Sequence, residues 1–159
     1  DEDKALEYNQ QYMDKNPNAA PTDFMKLAEI YVNKAKKDPA KKIENIDKAI
    51  GVYAKLSEKY PTLKTFAKLQ EGNTAFQNEL DDKAIAAYTE VINELEAKQC
   101  DEDELSYLKT SYQYMGFIYT YDKQDFNTAK PYWDKLLKLD PQNKLANDAY
   151  EKAGLKPGE

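Results

Sequence analysis

The chain contains no histidine and no arginine, and it has one cysteine among 159 residues. Histidine is the commonest general base near neutral pH and a frequent zinc ligand, so its absence argues against the usual hydrolytic and zinc-dependent chemistry. The absence of arginine removes the planar group that binds phosphates and carboxylates through paired hydrogen bonds. From these absences we predict a protein that is not an enzyme, with no catalytic residue, no cofactor and no metal.

Cys100 has no second cysteine with which to form an internal disulfide. The acidic residues that follow it, Asp101 to Glu104, are expected to raise the pKa of the thiol rather than to activate it. We interpret Cys100 as incidental rather than as a reactive thiol. The acidic residues lack the spaced ligands and the central glycine of the known calcium-binding loop, so we interpret them as the charged start of a helix.

Long apolar runs are also missing, and the net charge is -6. No run approaches the ~18 residues that a membrane span requires, so we predict no membrane insertion. We also predict no nucleic-acid partner, because nucleic-acid binding depends on phosphate neutralisation by lysine and arginine. The expected partner is an unidentified protein or peptide, and the expected state is a monomer or a weak dimer. The compartment stays open between the cytoplasm and the cell envelope or periplasm, with a slight preference for the envelope.

The residues that are abundant favour helices. Glycine is scarce, with five residues, while Ala, Leu, Lys and Glu are common. Prolines and capping residues divide the chain, and Asp101 with Glu104 forms a capping-box pattern. We predict an all-α fold with eight helices and no strand, spanning about 1–16, 22–37, 41–60, 63–78, 81–99, 101–121, 126–139 and 143–153. Because Pro131 is tolerated only in the first turn of a helix, we expect the seventh helix to start nearer Thr128.

One pattern recurs along the chain: an alanine, an aromatic residue four positions on, a bulky residue three further, and a proline twelve after the alanine. Its copies are Ala49, Tyr53, Leu56, Pro61; Ala129, Trp133, Leu136, Pro141; Ala84, Tyr88, Val91 with Glu96 in the proline position; and Ala5, Tyr12, Pro17 with Asn9 in the aromatic position. Each copy lies in the second helix of a predicted pair. The first helices carry their own small residues, Ala28, Gly72 and Gly116, where we expect paired helices to approach closely. Tyr53, Tyr88 and Trp133 are expected to fill space toward the next pair.

This pattern resembles the tetratricopeptide repeat family, whose unit is a helix-turn-helix of about 34 residues. The resemblance implies a right-handed α-solenoid of antiparallel helix pairs, in the C-terminal part of a longer bacterial repeat protein. Its segments would be the second helix of a truncated leading repeat at 1–17, three repeats at 22–61, 63–99 and 103–141, a capping helix at 143–153 and a tail at 154–159. The first repeat would carry an insertion near 34–42.

The insertion near 34–42 is rich in lysine, with Lys34, Lys36, Lys37, Lys41 and Lys42. Lysines at the end of a helix complement the helix dipole, so one interpretation is a solvated helix end. The alternative is a contact with an acidic partner or an anionic surface. The sequence leaves both interpretations open.

In the family, partners bind to a concave surface that is lined mainly by the first helix of each pair. Carried over position by position, the resemblance implies a groove made of Met25, Glu29, Val32, Phe66, Leu69, Asn73, Phe76, Gln113, Phe117 and Tyr121, with Thr120 beside them. Such a mostly apolar and aromatic set suits an amphipathic helix or an extended peptide. The alternative is that the phenylalanines pack between helices.

The family's carboxylate clamp, which grips the acidic C-termini of chaperones, is absent, because its positions hold Met25, Glu29, Gln70, Thr110 and Tyr114. We therefore expect a non-catalytic scaffold that binds another kind of peptide or partner helix in this groove. The alternative is a structural spacer or self-association module of a larger multi-repeat protein, with no external ligand for this part.

Overall fold

The computed structural model describes residues 2–158, except for the side chains of residues 2, 3, 5 and 14. Over this range the chain is all-helical, without a strand, and its eight α-helices pack in adjacent pairs. The α-helices are α1 (Glu2–Lys15), α2 (Pro21–Lys37), α3 (Lys42–Lys59), α4 (Lys64–Gln77), α5 (Asp81–Glu96), α6 (Glu102–Phe117), α7 (Phe126–Leu139) and α8 (Lys144–Lys152). The prediction of an all-α fold with eight helices is confirmed. The packing of Ala5, which begins one copy of the alanine pattern, lies outside the described side chains.

The helix boundaries follow local chemistry. Single 3-10 turns, Pro39–Lys41 and Pro61–Leu63, lead into α3 and α4. At the start of α6, the backbone N–H of Glu104 donates to the Asp101 carboxylate at 2.9 Å, and the Glu104 carboxylate accepts from the Asp101 N–H at 3.2 Å. This reciprocal pair is the predicted capping box, which satisfies two N–H groups that the helix itself leaves unbonded.

The bounds predicted for the seventh helix, 126–139, are confirmed, whereas the expected end of α6 and the expected start of α7 nearer Thr128 are wrong. The α-helical part of α6 ends at Phe117, and the chain continues as a π-helical segment, Ile118–Asp122, in which Lys123 N–H donates to the Ile118 carbonyl at 2.9 Å. Helix α7 starts at Phe126 rather than near Thr128, so Pro131 lies beyond its first turn. Asn127 and Pro131 are both exposed, and water can therefore solvate the carbonyl that the proline leaves without a helical donor.

The chain forms two compact units, one up to Ala84 and one from Ile85 onward. In the first unit, α2 packs along α3 and α3 along α4. The core of this unit is a cluster of apolar side chains that α1 to α4 contribute: Leu6, Met13, Phe24, Leu27, Ala28, Tyr31, Ala49, Val52, Tyr53, Leu56 and Ala67. Ala28 and Ala49 are completely buried within it, as expected for the small residues of paired helices.

The second unit is organised around Trp133, which is completely buried. Its ring lies against Gly116 of α6, and its indole N–H donates to the Thr120 hydroxyl at 2.8 Å. Gly116 is therefore small for the predicted reason, which is close packing. The predicted direction of Trp133 is wrong, because its ring fills space against the first helix of its own pair. Tyr88 does reach the next pair, where it stacks on Tyr114 with ring centroids 5.6 Å apart.

Glu96 occupies the position where other copies of the alanine pattern have proline. Its carboxylate accepts hydrogen bonds from the Tyr112 hydroxyl and from the Lys135 ammonium, both at 2.6 Å. The carboxylate thus ties α5 to α6 and α7 within the second unit. Helix α8 joins the same unit through Tyr150, whose hydroxyl donates to Asp134 of α7.

No helix in the described part of the chain is sufficiently long and apolar to cross a membrane.

Candidate functional site

The ten residues of the predicted groove are divided between the two units. Seven lie in the first unit, on α2 and α4, and they are Met25, Glu29, Val32, Phe66, Leu69, Asn73 and Phe76. The other three lie in the second unit, where α6 carries Gln113 and Phe117 and the π-helical segment carries Tyr121. The two groups have different surroundings.

On α2, the predicted residues change from exposed to half-buried along the helix. Met25 keeps 40% of its surface exposed, and Glu29 is also exposed. Val32 is half-buried and packs against the core of the first unit. Their spacing of three to four residues places the three side chains on one side of α2.

On α4, one predicted residue is buried and three are half-buried. Leu69 exposes 5% of its surface, so its side chain contributes to packing and presents almost nothing to a partner. Phe66 packs against the core while remaining half-exposed, and Asn73 and Phe76 are also half-exposed. Both interpretations of the aromatic residues therefore apply to Phe66, which packs inward and still offers part of its ring.

The hydroxyl of Tyr53 on α3 is hydrogen-bonded to a side chain of α4, and a carboxylate of α2 acts on it electrostatically. The hydroxyl forms its side-chain hydrogen bond with Thr74, which follows Asn73 on α4. The pKa of Tyr53 is raised mainly because its side chain is buried, and the negative charge of Glu29 raises it further. Glu29 and Thr74 are therefore both near this hydroxyl. We use the name α2–α4 face for the exposed and half-exposed predicted residues of these two helices: Met25, Glu29, Val32, Phe66, Asn73 and Phe76.

In the second unit, α8 packs on the predicted groove residues. The side-chain amide of Asn143, the N-cap residue of α8, donates to the Gln113 oxygen at 3.3 Å. The ring centroids of Phe117 and Tyr121 are 4.8 Å apart, and the Lys152 ammonium of α8 lies 4.5 Å from the Tyr121 centroid. The two contacts made by α8 join residues 30 and 31 positions apart in the chain, and no local sequence pattern indicates them. Gln113 and Tyr121 are consequently already engaged within the unit.

Two further surface features were not predicted. A cleft of about 390 Å³ lies beside the π-helical segment and is lined by Thr120, Tyr121, Gln124, Phe126, Ala149, Lys152 and Ala153. On α1, Tyr8 and Tyr12 expose 75% and 56% of their surfaces. The spacing of four residues between these tyrosines is a pattern that could have identified them as one exposed aromatic side of a helix.

The thiol of Cys100 has the surroundings of an unreactive cysteine. It donates to the Leu95 carbonyl at 3.2 Å. Burial raises the pKa of this thiol, and the negative charges of Glu104 and Asp101 raise it further, while Lys98 acts in the opposite direction. The predicted direction of the shift is confirmed. Among the described residues, no group of three or more cysteine, aspartate and glutamate side chains is arranged to hold a metal ion.

Comparison of the chain with protein-family models, with curated proteins and with solved structures gave no match.

Proposed function

We propose that the chain is a non-catalytic scaffold of the tetratricopeptide type, which binds a peptide or a partner helix on the α2–α4 face. The observation that carries the proposal is the exposure of this face. Met25 and Glu29 are exposed on α2, and the rings of Phe66 and Phe76 are half-exposed on α4, although both helices also supply much of the core of the first unit. Apolar groups that stay accessible next to polar ones suit a surface that buries a partner.

The chemistry of the α2–α4 face specifies the kind of segment that it would accept. Met25 is flexible and polarisable, so it can adapt to apolar side chains of different shapes. The rings of Phe66 and Phe76 are half-exposed and offer anchoring area. Glu29 adds a negative charge that favours a lysine or arginine in the partner. The expected ligand is therefore an amphipathic segment with a basic residue near its apolar side.

The repeat architecture belongs to the same proposal. The alanine patterns and the pairing of the helices support a right-handed solenoid of tetratricopeptide-like units. Ala28 with Ala49, and Gly116 with Trp133, are close-packed in the way that such units require. In this proposal the α2–α4 face belongs to the first helices of two successive repeats.

A self-association or spacer module is the second candidate function, and the exposed tyrosines of α1 favour it. Tyr8 and Tyr12 present an aromatic surface that a second copy of the chain could cover. In that case the interaction would involve α1 and would not require the α2–α4 face. The two candidates therefore differ in which residues matter.

Peptide selection on the purified protein tests the first candidate. Peptides selected from a random display library would be measured against the wild type, Met25→Asp and Asn73→Ala. We expect affinity to fall by at least tenfold in Met25→Asp, because a charge then enters the apolar contact. Leu105→Asp is the matched control, since Leu105 is similarly exposed at 37% but lies in the second unit. Equal binding by all four proteins would rule out the α2–α4 face as the binding surface.

A further inference from the structure

The turn between α2 and α3 collects positive charge in an otherwise acidic chain. Residues 34–43 contain five lysines and one aspartate, a net charge of +4, whereas the whole chain carries -6. The structure places these residues at the end of α2, in the 3-10 turn Pro39–Lys41 and at the start of α3. We call residues 34–43 the basic corner. Lys36, Lys37 and Lys41 are exposed there.

The acidic groups around the basic corner are already engaged. The Asp38 carboxylate accepts from the Ala40 N–H at 3.1 Å and so helps to form the turn. Glu79 pairs with Lys42 at 3.0 Å, and Glu44 pairs with Lys48 at 2.6 Å. Glu44 thus pairs with a lysine outside the corner, whereas Glu79 partly offsets the charge of Lys42. The positive field of the corner therefore comes from its exposed lysines, such as Lys36 and Lys41.

The titration of Glu44 reports this positive field. The pKa of Glu44 is lowered, first by the hydrogen bond from Lys48 and then by the charges of Lys48, Lys41 and Lys34. Two lysines of the basic corner thus add to the positive potential at a carboxylate just outside the corner. The charges of the corner are close enough together to act jointly on an external anion.

The basic corner also carries an exposed apolar tip. Ile43 has 59% of its surface exposed, and Pro39 and Ala40 are exposed beside it. An isoleucine that projects among lysines combines electrostatic attraction with an apolar group that can enter the interfacial region of a bilayer. This combination is independent of the α2–α4 face.

We propose that the basic corner docks the protein on an anionic lipid surface, with Lys36 and Lys41 at the headgroups and Ile43 at the acyl boundary. Lysine is a compact point charge that suits a fluid layer of headgroups, whereas built phosphate sites favour the paired hydrogen bonds of arginine. The segment has no aromatic residue on which nucleic-acid bases could stack, which disfavours single-stranded nucleic acid. The anionic headgroups would repel the acidic remainder of the chain, and this repulsion would orient the molecule with its basic corner toward the lipid surface.

Vesicle co-sedimentation of the full chain tests the proposal. The wild type is expected to bind phosphatidylcholine vesicles that contain about 30% phosphatidylserine at about 50 mM NaCl, and to be released at about 500 mM NaCl. Pure phosphatidylcholine vesicles should retain little protein. The variant K36E/K41E is expected to bind at least tenfold more weakly, because each lysine near an anionic surface strengthens binding by roughly fivefold. Ile43→Ser should bind the anionic vesicles a few-fold more weakly than the wild type. Leu105→Ser is the control for this loss of an exposed apolar side chain.

The matched control is K64E/K138E, which changes the net charge by the same amount at two exposed lysines elsewhere. It is expected to bind vesicles within about twofold of the wild type, and circular dichroism would verify that all variants fold. Equal losses in the two double variants would show a general charge effect and would overturn the proposal. Absence of wild-type binding to the anionic vesicles would also overturn it. Binding to poly-glutamate without binding to vesicles would likewise overturn the proposal, because it would indicate that the corner binds an acidic protein.

Discussion

Gly116 of α6 and Trp133 of α7 approach so closely that neither can be enlarged without movement of the other. A β-carbon on Gly116 would lie 2.5 Å from Cε2 of the Trp133 ring, well inside normal contact. The ring is held in place by the hydrogen bond that its Nε1–H, next to Cε2, donates to the Thr120 hydroxyl. The contact therefore joins the first and second helices of the pair at a position where only glycine fits.

Gly116→Ala is expected to destabilise the second unit by about 1–3 kcal/mol, because the added methyl group overpacks a fixed ring. Denaturant unfolding followed by the fluorescence of Trp133, the single tryptophan, measures the change. Gly51 provides the control, since it lies in α3 with open space around its Cβ position. Gly51→Ala should stabilise the first unit by about 0.5–1 kcal/mol, seen by circular dichroism. An unaffected Gly116→Ala variant would contradict the packing argument.

Glu96 should make stability depend on pH in the acidic range. Burial alone would raise the pKa of Glu96, but the hydrogen bonds from Lys135 and Tyr112 outweigh it, so the pKa is lowered in the folded chain. A lowered pKa means that the stabilisation is complete above the unfolded-state pKa of about 4.3 and is lost as the pH falls through the folded-state pKa.

Glu96→Gln is therefore expected to unfold at a lower denaturant concentration than the wild type at pH 7, and the difference should shrink as the pH falls from about 5 to about 3. Glu151→Gln, at an exposed position of α8 in the same unit, is the comparison for changes in net charge. A difference between Glu96→Gln and the wild type that stays constant over this pH range would show that the carboxylate charge is not what stabilises the contact.

The side chain of Asn143 forms two hydrogen bonds that stabilise α8, and one substitution should remove both. Its side chain accepts from the Ala146 N–H at 3.2 Å, which caps α8, and its amide donates to Gln113. Asn143→Ala is expected to destabilise α8 by about 1 kcal/mol and to speed hydrogen exchange of the α8 amides. Gln142→Ala, at the exposed neighbouring position, should leave exchange unchanged. Equal exchange rates in both variants would mean that Asn143 does not hold α8.

The exposed tyrosines of α1 decide between the two candidate functions. If the chain self-associates through α1, sedimentation velocity of the wild type will show a concentration-dependent dimer, and Tyr8→Ser with Tyr12→Ser will remove it. We expect a wild-type monomer or a weak dimer only. A tight dimer that the double substitution abolishes would favour the self-association module over the peptide scaffold.

Local features of the sequence were sufficient to predict the helices. Asp101 and Glu104 form a capping box from side chains three residues apart, and Tyr60 precedes a proline, so both boundaries depend on neighbours in the chain. Gly116 could be identified as a close-packing residue because its position repeats. The π-helical segment after Phe117 depends on how that turn packs, and no local pattern indicated it.

The candidate site was less predictable because burial depends on the packed neighbours. Leu69 and Asn73 both fell at groove positions of the resembled family, yet only the first is buried. Gln113 also falls at a groove position of that family, but Asn143 of α8, 30 residues further along the chain, donates a hydrogen bond to it. Spacing along one helix gives the side on which a residue lies, but it does not give the element that covers that side.

The central claim, that the α2–α4 face binds a peptide, is tested most directly by nuclear magnetic resonance. A selected peptide would be titrated into isotope-labelled protein, and the backbone amide shifts would be followed. We predict that the largest shift changes occur at residues 25–32 and 66–76 and that the peptide no longer causes these changes in Met25→Asp. Changes confined to α1 or to the second unit, with residues 25–32 and 66–76 unaffected, would contradict it.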